Sequence, residues 1–300
     1  MLKLRKRWRL EREMWLLAII PVAWVILFSY VPMYGLVIAF MKYIPGAPLN
    51  TGKWVGLLYF QQFFSNPEFP MIMRNTLVIS GLQILLGFPA PIILALLFNE
   101  LRKGFFKRFV QTVSYLPHFI SWVVTASIVF ALLGNDGFVN MVVRRLGGES
   151  VNFLGTGPYF WWIITLANIW KGVGWASILY LSAIAGIDEE LYQAGKVDGL
   201  NDLGLAVHIT VPGIMPTIML LFILGLGGIL NAGFEQQLLL GNAQTRNYYE
   251  VIDTYAYKYG IQLGQYSFGT AVALVKSAVG LGLVLGANRI AKKVTDMSIF

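Results

Sequence analysis

The chain has no cysteine, two histidines and few charged residues, and each scarcity closes a class of function. Without cysteine there is no disulfide framework, no thiolate metal site and no thiol nucleophile. His118 follows Leu116-Pro117 near the start of one apolar run and His208 lies at the end of a polar segment leading into another, on opposite membrane faces of the topology derived below. No shared metal site and no H-E-x-x-H pair can form from them. The phosphate-binding pattern G-x-x-x-x-G-K-[ST] is missing too. Gly225-Leu226-Gly227-Gly228 lies within an apolar run, where small residues serve close helix packing, so any nucleotide must be bound by another polypeptide.

Charge is scarce because apolar residues take its place. Of 300 residues 57% are hydrophobic and 13% charged, a balance that marks an integral membrane protein. The net charge of +8 does not point to nucleic acid, since the basic residues cluster at the ends of apolar runs. Six runs are long enough to span, near 14–40, 74–100, 111–134, 158–186, 208–232 and 267–291. The first is too long for a signal peptide. It follows a basic segment at 1–13, and residues 14–300 read as one transmembrane domain. With the N-terminus in the cytoplasm, the inner segments hold 14 Lys and Arg and the outer ones 7. This orientation satisfies the positive-inside rule and puts both termini inside. Pro32 predicts a bend in the first span, and Pro89 with Pro91 a bend in the second beside a pathway. The outer segment 41–73, rich in proline and aromatic residues, is expected to lie partly along the membrane surface, with its aromatics as an interfacial belt.

One inner segment has its own structural signals. Asp188 is a natural N-cap, Glu189 and Glu190 suit the first turn, and Gly199 stops the helix. Ile187, Leu191, Ala194 and Gly195 share a face, and Asn201 or Asp202 caps a second helix running toward Pro212. In this helix-turn-helix, Gln193-Ala194-Gly195, three residues, Gly199, nine residues and Ile209-Thr210-Val211-Pro212 resemble the EAA loop of ATP-binding-cassette (ABC) importer permeases. That pattern is E-A-A, three residues, G, nine residues, I-x-L-P, and Asp198-Gly199 matches the D-G usually found in it. Gln193, Gly195 and Val211 depart from it, which removes any salt bridge at position 193 and leaves the spacing intact. The resemblance implies a cytoplasmic coupling helix within 188–212 that seats in a partner ATPase, with Gly199 fixing the turn and Ala194 and Gly195 permitting close contact.

Two lysines fall inside spans. Lys171 sits among Asn168, Trp170, Trp175 and Ser177, and Lys276 lies in Thr270-Ala-Val-Ala-Leu-Val-Lys-Ser277. A lysine in hydrocarbon costs a few kcal/mol and so faces a cavity or a partner charge. Asn168, Trp170, Lys171, Trp175, Lys276 and His118 are therefore the candidate solute path, while snorkelling or pairing with a carboxylate of a neighbouring subunit remains the alternative for the lysines. If both line the path, an anionic solute is accommodated more easily than a cationic one. The outer residues Glu235, Gln236, Gln237, Arg246, Tyr248, Tyr249, Asp253, Tyr255, Tyr257 and Tyr259 suit sugar contacts or, for most of them, an interface with a docked extracellular protein.

Val251-Ile-Asp-Thr-Tyr-Ala-Tyr-Lys258, Gly264-Gln-Tyr-Ser-Phe-Gly-Thr-Ala271, Ala287-Asn-Arg289 and Tyr115-Leu116-Pro117 before Phe119-Ile-Ser-Trp-Val123 are similar to the LplB-like, MalF-like branch of carbohydrate ABC permeases. The resemblance implies an all-α membrane protein with the MetI-like fold, in the cytoplasmic (inner) membrane of a bacterium. It further implies a second homologous permease subunit, an ABC ATPase dimer using ATP and Mg, an extracellular or periplasmic solute-binding protein, and import of oligosaccharides, in some members uronate-containing ones such as alginate. This chain itself would bind no cofactor or metal and catalyse nothing. Import of amino acids or another small solute, and a stand-alone channel or secondary transporter, stay open as alternatives.

Overall fold

A computed structural model describes residues 2–102 and 104–295. In chain order the elements are α1 Leu2–Val25, β1 Met41–Lys42, β2 Lys53–Trp54, α2 Leu58–Phe64, α3 Phe69–Leu82, α4 Pro89–Glu100, α5 Phe105–Phe119, α6 Trp122–Leu133, α7 Phe138–Arg145 and α8 Gly157–Ile184. There follow α9 Glu189–Val197, α10 Asp202–Leu205, α11 Val211–Gly213, α12 Met215–Gly227, α13 Glu235–Leu240, α14 Arg246–Tyr249, α15 Ile252–Tyr257 and α16 Tyr266–Thr295. Most side chains of the basic segment 1–13, and residues 296–300 at the C-terminal end, lie outside the described residues.

The chain divides into two compact units, Met1–Ser65 with Lys258–Leu274 and Asn66–Tyr257 with Val275–Phe300. In the first, α1 passes into a wider π turn at Ile26–Tyr30 and a tighter stretch at Val31–Phe40 that holds Pro32. This change of winding falls where a bend was expected, because proline cannot supply the bond to the fourth residue back. The segment 41–73 is more folded than the surface-lying one expected. β1 pairs with β2 antiparallel, Phe40 stacks on Trp54 at 5.8 Å, and Phe63 is buried, so its aromatics do not all form a belt. Ser267 Oγ accepts from the Tyr43 amide at 3.1 Å and donates to the Met41 carbonyl at 2.7 Å, tying the ribbon to α16.

The second unit is built around α8. Its 28 residues rise about 42 Å, enough to cross a hydrocarbon core about 30 Å thick. Yet Asn168 and Lys171 interrupt its apolar surface, which is tolerable because α3, α4, α5 and α6 all pack on it. For that reason the expected six spans are not reached on length and apolarity alone. Among the described residues four helices qualify, Met14–Phe40, Phe69–Glu100, Trp122–Arg145 and Tyr266–Arg289. A fifth arises if Asp202–Gly213 and Met215–Gly227, bent by 61° at Pro212 to Pro216, count as one. The run expected as a single span at 111–134 is broken between α5 and α6. Ile120 is extended there, and Ser121 caps α6 by accepting from the Val124 amide at 3.3 Å.

Buried polar bonds pin α14 and the residue after it onto α3 and α8. Asn75 donates to the carbonyls of Asn247 (3.0 Å) and Glu250 (2.9 Å), and Trp161 Nε1 to that of Tyr248 (3.0 Å). Arg246 pairs with Glu68 and Glu250. The Glu250 bond raises the Arg246 pKa and burial raises that of Tyr249, so both keep their protons. Arg246, Tyr248, Tyr249 and Asp253 are therefore committed inside the chain, whereas Glu235 stays exposed.

Candidate functional site: a polar cavity and a capped hairpin

A cavity of about 330 Å³ lies among α3, α4, α8 and α12. It forms because the span Phe69–Glu100 opens into a π turn at Gln83–Gly87, closed by the Phe88 amide on the Gln83 carbonyl at 2.9 Å, just ahead of Pro89 and Pro91. Such turns leave room and are frequent at functional sites. Its lining carries the polar side chains of Ser80, Gln83, Asn168, Tyr180 and Asn231, and among the described residues no carboxylate, ammonium or guanidinium lines it. Gln236 Nε2 donates to Asn168 Oδ1 at 3.2 Å and fixes that carboxamide. The Gln83 side chain lies over Gly87, where a Cβ would meet Nε2 at 2.0 Å, and among the described residues no donor reaches its buried Oε1. Gly225 and Gly228 line the cavity. Gly227, by contrast, serves close packing: its carbonyl oxygen would lie 2.7 Å from a Cβ on Gly280.

Of the six candidate path residues, only Asn168 lines this cavity. Lys171, one turn further along α8, donates to the carbonyls of Pro117 (3.4 Å), His118 (2.8 Å) and Ile120 (2.5 Å), the acceptors freed where α5 ends. His118 stacks on Trp175, with ring centroids 4.7 Å apart and planes at 5°, and Phe119 meets Trp175 edge-on at 5.5 Å. The structure thus gathers His118, Lys171 and Trp175 where α5 ends against α8, Lys171 lying one turn along α8 from the cavity's Asn168. Trp170 points to another side of α8, and Lys276 stands apart in an ion pair with Asp253 of the same chain. Gln83 and Asn231 escaped notice in the sequence. Their signal was an amide within a long apolar run, in the first case just ahead of the flagged prolines.

The second site is the hairpin. Asp188 accepts from the Glu190 amide at 3.0 Å, and Asn201, rather than Asp202, caps the next helix by accepting from Gly204 at 2.8 Å. Past Asp198, Gly199 takes φ +83°. The Leu200 amide bonds the Gly195 carbonyl (2.9 Å) and the Gly199 amide that of Lys196 (3.1 Å), the paired bonds of a Schellman stop. Gly195 is buried inside the hairpin, where a Cβ would lie 2.7 Å from Ile209 Cδ1 and 2.8 Å from Leu205 Cδ2. Its close contact is therefore with the hairpin's own second helix, while Gln193, Ala194 and Leu191 face outward. So do Val197, 88% exposed, and Leu203, 73% exposed. Pro212 sits at the bend into α12.

Residues 87–296 match the family model described as the binding-protein-dependent transport system inner membrane component. The chain belongs to this family. It is a membrane-embedded permease subunit of the ABC importer type, not an enzyme. The permease is 45% identical to Protein LplB of Bacillus subtilis (strain 168), over 97% of this chain and 92% of that one. It is 44% identical to the polygalacturonan/rhamnogalacturonan transport system permease protein YteP of the same organism, over 97% and 91%. Its fold matches a chain of a bacterial alginate ABC transporter in complex with an alginate pentasaccharide-bound periplasmic protein. That match has a TM-score of 0.89 and 37% identity, and covers 98% of this permease and 99% of that chain.

Proposed function

We propose that this permease imports oligosaccharides by alternating access, with the cavity around Asn168 as its part of the solute path. The observation that carries this reading is the lining. The lining carboxamides both donate and accept, as sugar hydroxyls require, while the absence of an acidic lining residue among the described residues leaves the ammonium of an amino acid without a partner. The relatives named for polysaccharide-derived solutes support it. Working partners are a second permease subunit, an ATPase dimer that consumes ATP and Mg, and a solute-binding protein on the outer side. The membrane is the bacterial cytoplasmic membrane, with both termini and the hairpin in the cytoplasm. ATP supplies the work through its different affinity for the two conformations of the ATPases, and the hairpin carries their motion to the spans.

The test is reconstitution of the complex that copurifies with this chain, followed by uptake of radiolabelled oligosaccharides and amino acids. ATP-dependent oligosaccharide uptake is expected. Amino-acid uptake, or flux without ATP, would exclude the reading. Because the chain lacks cysteine, Ala194→Cys places a single thiol on the hairpin. It should react with a membrane-impermeant maleimide only from the cytoplasmic face.

A further inference from the structure

The two intramembrane lysines are chemically unlike. Lys276 is neutralised by Asp253, both side chains being mostly buried. Lys171 has no carboxylate within ion-pair distance among the described residues; its ammonium is held by three carbonyl dipoles at the end of α5 and lies 5.8 Å from the Trp122 ring. Carbonyls and the dipole of a helix end orient an ammonium and partly stabilise it, yet its whole positive charge remains. That charge stands one turn along α8 from the cavity's Asn168. Asn168, Lys171 and Trp175 follow one another at i, i+3 and i+7 along one stripe of α8, so the cavity's carboxamide, the ammonium and the indole are neighbours. Trp175 is 46% exposed with His118 on one of its faces, and Phe119 is 71% exposed, which leaves aromatic surface of the kind on which a sugar ring can stack.

We infer that Lys171 is the specificity residue through which this subunit favours an acidic oligosaccharide over a neutral one. The inference rests on the oligosaccharide reading above. The carboxamides of the cavity read hydroxyls common to all sugars, and the Lys171 ammonium exchanges one of its three carbonyls for a carboxylate oxygen of a uronate residue stacked near Trp175. No covalent bond changes in this exchange: one hydrogen bond to a neutral carbonyl is broken and one to a charged oxygen, which is stronger, forms in its place.

The experiment uses the reconstituted complex, with a uronate oligosaccharide and the same oligosaccharide after its carboxyl groups are reduced to alcohols. Lys171→Gln keeps amide donors for the α5 carbonyls but removes the charge, and Lys171→Arg keeps the charge. The Gln variant should lower the ratio of acidic to neutral uptake about tenfold, the scale of one charge-assisted hydrogen bond, while Arg holds the ratio within about twofold. Lys276→Gln should leave the ratio unchanged. Equal loss of both sugars in Lys171→Gln would reduce Lys171 to a helix cap and overturn the inference, as would an unchanged ratio. If the wild-type complex carries neither sugar, the oligosaccharide reading fails and takes this one with it.

Discussion

The hairpin at 188–212 and the surroundings of α8 are held together in opposite ways. In the hairpin the defining bonds close within a few residues: Asp188 to Glu190, Leu200 to Gly195 and Asn201 to Gly204. Around α8 they join distant parts of the chain, Lys171 to carbonyls 51 to 54 residues away, Gln236 to Asn168 across 68, and Trp161 to Tyr248 across 87. A locally bonded piece keeps its shape wherever it is carried, and a region of long-range bonds shifts only by exchanging partners. A lever needs the first property and a gate the second.

The strongest way to break this comparison is at Gly174, where α8 touches α5. A Cβ there would lie 1.9 Å from the Ser114 carbonyl oxygen, and a helix backbone, unlike a side-chain tip, has nowhere to turn. Gly174→Val is expected to cost about 3 kcal/mol, the upper range for overpacking, and to lower the melting temperature of the purified complex sharply. A melting temperature within a degree of wild type would mean that the two helices do not meet at this point. The ion pair comes next. Lys276→Met strands Asp253 in a mostly buried place, at a cost of about 2 kcal/mol, and adding Asp253→Asn should restore most of the loss. No rescue in the double variant would argue that the pair matters for something other than mutual neutralisation.

The same contrast explains what the sequence could disclose. Caps, a stop glycine and helical spacing are local rules, so Asp188, Asn201 and Gly199 were legible with their roles. The break between α5 and α6 had a local cue in Pro117, but its consequence did not: Lys171 capping carbonyls some 50 residues away depends on how α5 lies against α8. Likewise the Asp253 partner of Lys276 follows from packing rather than spacing. The amide-lined cavity needed three spans in place before Gln83 and Asn231 could be seen beside Asn168. Even in the hairpin, the inward turn of Gly195 against Leu205 and Ile209 required coordinates, since either face of α9 offers small residues.

Substitutions in the hairpin sharpen the comparison from the other side, because their effects should stay local. Gly199→Val forces a β-branched residue to φ near +83°, costing about 1–2 kcal/mol of hairpin stability. Uptake should fall severalfold while the melting temperature of the complex hardly moves. If both fell together, the hairpin would be part of the membrane body's cooperative unit and not a separable lever. The mildest change is Asn201→Ala, which removes one cap bond worth about 1 kcal/mol. Its signature is faster amide exchange at Gly204, about fivefold, with α8 amides unaffected and uptake within about twofold of wild type. Exchange that quickened equally in α8 would show the two regions to be coupled at rest, and the local bonding of the hairpin would then say nothing about how it moves.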